Sequence, residues 1–246
     1  MNPSIDLHQP WQRTRWTQVL AILLGLAPVY GMTILSHLNQ DRPYSLNNIL
    51  FYTGVIASIM LVVLLLLLRF LCGESFGDLN LKRARWWQDV MGGIALAALT
   101  LGTQYLLGPV IEKVLPREPQ SGLGDVMSGL VRDPWLLALF VGPVLAVGAA
   151  GFEELTRMFL LSRWWKIAPG TGGRWLGVLV SAVLFGLAHL YQGPGGVANT
   201  AISGFILAIV YLRFGRIWPL IISHYLHDAL QIVLLVYLVQ SGVIQI

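Results

Sequence analysis

Three ionisable side chains stand within five residues of one another in Gly151-Phe152-Glu153-Glu154-Leu155-Thr156-Arg157, inside an otherwise apolar run from Pro134 to Leu161. An uncompensated charge at a bilayer centre costs about 2.5–3.5 kcal/mol even on lenient insertion scales, so such groups are paired and usually work where they sit. On a helix turning about 100° per residue, Arg157 lies about 40° from Glu153 and about 60° from Glu154, within reach of either carboxylate. One pairing neutralises one acid and leaves the other available, which is what a general base requires. The competing reading is a structural ion pair that locks a helix bundle.

Two further stretches place polar groups in apolar surroundings. Phe185-Gly186-Leu187-Ala188-His189 ends on a histidine that is either a satisfied core residue or a working one. His224-Tyr225-Leu226-His227-Asp228 puts His224 and Asp228 four residues apart, on one helix face. His227 either shares that face or looks elsewhere. Interhelical hydrogen bonding, worth about 1 kcal/mol per contact, is the plain alternative for all of them. Depth links the groups. At about 1.5 Å per residue, Glu153 lies about 18 Å from the cytoplasmic end of its span, His189 about 22 Å along its own and His224 about 12 Å along its own, all at intermediate membrane level.

The elements that must carry these groups are transmembrane helices. The chain has 246 residues, 56% hydrophobic and 11% charged, where a soluble domain carries about 25% charged. Its mean hydropathy is +0.68. The expected fold is all-α, a polytopic transmembrane helical bundle with about seven spans, near 17–38 (kinked at Pro28), 48–71, 90–111, 135–165, 175–190, 197–212 and 218–243. The fourth is too long for one straight crossing and is expected to tilt or to extend into the interface. Leu61 to Leu68 read as plain lipid-facing sequence, and an amphipathic interfacial helix is expected near 79–88. Residues 112–133 read as an irregular loop, and Gly193-Pro194-Gly195-Gly196 as a tight turn. One membrane domain is expected overall, with N-terminal helices over 1–130 and the site-bearing core over 131–246. The apolar run after Arg13-Thr14-Arg15 reads as a retained signal anchor. A single cysteine, Cys72, excludes an intramolecular disulfide framework and a cysteine metal cluster. The net charge of +4 needs no nucleic-acid partner, because Lys and Arg gather on one side of the bundle. Arg13, Arg15, Arg69, Lys82, Arg83, Arg85, Arg163, Lys166, Arg174, Arg213 and Arg216 fall there, against Arg42, Lys113, Arg117 and Arg132 opposite, which places the N-terminus in the cytoplasm.

Glu-Glu followed by Arg, then Phe-x-x-x-His, then His-x-x-x-Asp, in that order over about residues 130–240, resembles the CAAX protease and bacteriocin-processing (CPBP, Abi) family of intramembrane endopeptidases. The resemblance implies that Glu153 activates the attacking water with help from His189, and that Glu154 and Arg157 form a supporting pair. His224 and Asp228 would then polarise the scissile carbonyl. It leans to a metal-independent glutamate mechanism, with no cofactor. A zinc site of Glu153, His189 and His224 is the alternative. Two departures stand out. Only Leu155 and Thr156 separate Glu154 from Arg157, where three residues are usual, and Asp228 replaces the more common Asn. An ionised carboxylate cannot donate to an oxyanion, so Asp228 is expected to orient His224 or His227. The implied substrate is a membrane-associated peptide or protein: a prenylated protein, a bacteriocin leader or a signalling peptide. The alternative is a catalytically silent scaffold or immunity protein of the same fold. A transporter would show paired repeats with broken helices, and no repeat is visible. The short loops suit a bacterial inner membrane.

Overall fold

The computed structural model describes residues 14–38, 45–75, 77, 86–116 and 122–244, and among them every regular element is a helix. In chain order these are α1 (Arg15–Leu38), α2 (Leu46–Leu71), α3 (Trp86–Val114), α4 (Leu123–Arg132), α5 (Pro134–Ile167), α6 (Thr171–Leu187), α7 (Gly193–Phe214) and α8 (Trp218–Gln240). The seven expected spans correspond to α1, α2, α3, α5, α6, α7 and α8. Among the described residues, five helices are long and apolar enough to cross a membrane: α2, α3, α5, α7 with the turn before it, and α8. The chain is an all-α integral membrane protein.

Helix starts follow local chemistry. Asp133 caps α5 by accepting from the amides of Trp135 (2.9 Å) and Leu136 (3.1 Å), with Pro134 in the first turn where its missing N–H costs nothing. Ser45 caps α2 in the same way through the Asn48 amide. The glycine-rich 193–196 stretch, expected as a turn, instead opens α7. Gly193 takes the reversal at φ 74°, and Pro194 then suits the first helical turn.

Two buried apolar clusters organise the packing. One joins Leu64 and Leu68 of α2, Met158, Phe159 and Leu161 of α5, Ala208 and Tyr211 of α7, and Leu220 of α8. The other joins Val126, Met127 and Leu130 of α4, Phe140, Val144, Leu145 and Ala149 of α5, and Ala229 and Val236 of α8. Along α8 the polar groups singled out from sequence fall between the two clusters, as do Glu153 and Glu154 along α5.

Several expectations are corrected here. The leucine run of α2 is not wholly lipid-facing, because Leu64 and Leu68, four apart, are buried while Val62 and Leu66 stay exposed. The 112–133 stretch is not irregular: α3 runs on to Val114, and α4 forms because Val126, Met127 and Leu130 share one buried stripe. Of the interfacial helix near 79–88, residues 79–85 lie outside the described residues, and Trp86, Trp87 and Gln88 form the first turn of α3. Finally, α5 is not one regular rod. Gly142 leaves helical geometry (ψ −106°) beside Pro143, and wide π-type turns run over Phe140–Gly151.

That irregular stretch fits against α2 only because Gly148 has no side chain. A Cβ there would lie 1.6 Å from the Thr53 carbonyl oxygen, whereas one at Gly102 would meet nothing within 4 Å. Gly148→Ala should therefore lower stability by at least the ~1–3 kcal/mol typical of overpacking. Gly102→Ala should be neutral or stabilising by up to about 1 kcal/mol. Thermal unfolding of the two variants in detergent micelles checks this pair.

Candidate functional site

Helix α5 resumes regular α geometry at Phe152, so Glu153, Glu154 and Arg157 project from its first turns directly after the wide-turned segment. Glu154 is fully buried and ion-paired with Arg157, itself 3% exposed. Arg157 donates Nη1 to the Gly204 carbonyl of α7 at 3.1 Å and lies over the Phe185 ring of α6, 4.5 Å from its centroid. The close approach of α7 depends on Gly204, where a Cβ would lie 2.8 Å from Phe185 Cδ1. The second oxygen of Glu154 accepts from His224 Nδ1 of α8 at 2.8 Å. One buried carboxylate thus ties together α5 and α8 directly, and α6 and α7 through Arg157.

Glu153 has different surroundings. Its side chain is 28% exposed, and its Oε2 has no hydrogen-bond partner among the described residues. That oxygen faces Nε2 of His189 at 3.8 Å and Nε2 of His224 at 3.7 Å. These gaps are too long for direct hydrogen bonds and suit a bridging water.

His189 sits just beyond the end of α6, not within the span. The helix tightens there, with the His189 amide bonding the Gly186 carbonyl. Its Nδ1 is 2.9 Å from the Phe185 carbonyl, which can only accept, so Nδ1 carries the proton and Nε2 is presented to Glu153. The Phe185 ring also packs against both imidazoles, with centroids 5.1 Å from His189 and 5.9 Å from His224.

Asp228 Oδ2 lies 3.5 Å from His224 Nε2, so of the two histidines it was expected to orient, it stands by His224. His227 turns away, with Nδ1 3.1 Å from Thr100 Oγ1 of α3. All six residues singled out from sequence, Glu153, Glu154, Arg157, His189, His224 and Asp228, therefore meet in one cluster built from α5, α8 and the end of α6. Arg157, which the helical angles allowed to pair with either acid, takes Glu154. Sequence reasoning missed Phe185 as the floor under three of these groups, although its place four residues before His189 was a signal. It also missed Gly204 and Tyr30. Tyr30 of α1 lies within electrostatic reach of Glu153 and Arg157.

The donor types suit a zinc ion, and both imidazoles hold their Nδ1 as ligating histidines do. The spacing does not. Ligands of a tetrahedral zinc at about 2.0–2.1 Å stand about 3.3 Å apart, against 3.7 and 3.8 Å here, and Asp228 also leans on His224 Nε2. Among the described residues no group of three or more His, Cys, Asp or Glu side chains is arranged to hold a metal ion.

Fold and site together define an integral membrane protein with a buried carboxylate–histidine cluster. Residues 134–230, from the start of α5 into α8, match the family model described as type II CAAX prenyl endopeptidase Rce1-like, which bears out the resemblance read from the motifs. The matched stretch contains all six site residues. No curated protein and no solved structure matches the chain.

The Glu154–Arg157 pair gives a direct prediction. Arg157→Met strands a buried carboxylate and should cost about 3–5 kcal/mol, whereas Glu154→Gln/Arg157→Met should cost clearly less, because neither charge is left unpaired. Unfolding midpoints of the single and double variants in one detergent measure the difference.

Proposed function

We propose that the chain is an intramembrane endopeptidase in which Glu153 activates water for attack on a peptide bond of a membrane-associated substrate. One observation carries this reading. Of two adjacent carboxylates, Glu154 is neutralised by Arg157, while Glu153 keeps an unpartnered oxygen facing two imidazole nitrogens.

In this reading a water held between Glu153 and His189 loses a proton to Glu153 as its oxygen bonds to the carbonyl carbon. His224, gripped at Nδ1 by Glu154 and steadied by Asp228, polarises the carbonyl oxygen. When the tetrahedral adduct collapses, the C–N bond breaks and the departing amine takes the proton from Glu153. Glu154 and Arg157 touch no reacting atom and hold His224 and the helices in place. No step needs a metal. The short Glu154-x-x-Arg157 spacing raises the alternative of a silent scaffold of the same fold. Because Arg157 pairs with Glu154 at this spacing, the geometry supports the enzyme reading instead.

The substrate is a membrane-associated peptide or protein of the prenylated, leader-peptide or signalling-peptide kind, cleaved towards the cytoplasmic side. The Lys and Arg distribution supports a cytoplasmic N-terminus and a bacterial inner membrane fits the short loops.

Glu153→Gln should lower the cleavage rate of a membrane reporter peptide by about 10²–10⁴-fold, the usual worth of a general base, without moving the unfolding midpoint. His189→Ala should also slow cleavage. Variants that cleave as fast as the parent would overturn the reading. Loss of activity with a chelator, restored by zinc, would overturn the metal-free mechanism.

A further inference from the structure

The departure at Asp228 leaves the proposed reaction short of a donor. As water attacks, the carbonyl π pair moves onto oxygen, and an oxyanion needs N–H or O–H groups aimed at it. Nε2 of His224 can supply one, since Glu154 holds only its Nδ1, but a second is wanting beside it. An ionised Asp228 only accepts.

Helix α1 brings a neutral donor to this level, and it lies outside the stretch that matches the family. It runs antiparallel to α5. Gly25 packs under Phe159, where a Cβ would lie 2.9 Å from Cε1, and Pro28 and Val29 share an apolar cavity of about 130 Å³ with Phe152. Counted in opposite directions from the Gly25–Phe159 contact, five residues lead to Tyr30 on α1 and to Glu154 on α5, so the antiparallel register sets Tyr30 within one residue's rise of Glu153. The same helix packs on the Leu190–Gln192 turn that follows His189. Tyr30 is partly buried, and the charges within its reach are Glu153 and Arg157.

We infer that Tyr30 of α1 donates its phenolic O–H to the scissile carbonyl oxygen as that oxygen becomes negative, supplying the hydrogen bond that Asp228 does not. The inference rests on the peptidase reading. The phenol keeps its proton throughout. The water proton goes to Glu153 and then to the amine, and Tyr30 only shortens its hydrogen bond as charge develops.

The test uses the full chain in lipid nanodiscs with three probes: a farnesylated CAAX-type peptide, its unprenylated counterpart and an apolar single-span peptide. Tyr30→Phe removes one oxygen and keeps the ring. It should lower kcat about 10²-fold, the usual worth of one oxyanion donor, with KM within about twofold of the parent and an unchanged unfolding midpoint. A phosphinate analogue of the cleaved peptide, which carries the tetrahedral oxyanion, should bind Tyr30→Phe about 10²-fold more weakly, while the amide peptide binds equally. Adding Asp228→Asn to Tyr30→Phe should restore part of the rate, since the amide supplies a donor. An active parent matched in kcat by Tyr30→Phe, or equal loss of phosphinate and amide affinity, overturns the inference alone. A parent that cleaves none of the three probes overturns the peptidase reading and the inference with it.

Discussion

Burying a carboxylate and a guanidinium costs several kcal/mol per ion, and only close pairing with further hydrogen bonds recovers it. The Glu154–Arg157 pair meets that requirement by drawing on four helices. Arg157 uses the Gly204 carbonyl of α7 and the Phe185 ring of α6, and Glu154 uses His224 of α8. The pair is therefore a geometric constraint as much as an energetic one. With both charges satisfied, α5, α6, α7 and α8 hold one arrangement, and in that arrangement Glu153 looks across a gap at two imidazoles.

The rest of the fold supports that arrangement from outside. Glu74, just after α2, pairs with fully buried Arg163 and with Lys166 near the end of α5. Asp89 near the start of α3 pairs with Arg216 before α8 at 2.6 Å. Helices α3 and α8 run parallel, with Thr100 opposite His227 and Gln104 opposite Gln231, so the strand of polar contacts stays in register beside the site. Small residues do the close fitting. Gly93 lets α3 approach Ile222 and Gly148 lets α5 approach Thr53.

Much of this was legible in the sequence because charge in hydrocarbon is costly and therefore rare. The acid pair, both site histidines and Asp228 stood out for that reason, and the helical bundle followed from apolar runs whose backbone must satisfy itself. What was illegible depended on partners far along the chain. Angles of 40° and 60° could not decide which acid Arg157 takes. A carbonyl at 204 and a ring at 185 accompany that choice, and neither position announces itself. The widened turns after Gly142-Pro143 belong with a carbonyl at Thr53. Helix α4 is ten residues long and was hidden by the glycines and prolines around it. His189 falls past its helix because the last turn tightens, a boundary shift no periodicity encodes.

The central claim is that water, poised by Glu153, is the nucleophile. Intact mass spectrometry of the nanodisc-embedded protein during cleavage in ¹⁸O-water tests it most directly. The account predicts one ¹⁸O in the new carboxylate of the product and an unmodified protein mass at every time point. A protein mass raised by an acyl fragment of the substrate would make a side chain the nucleophile and contradict the account.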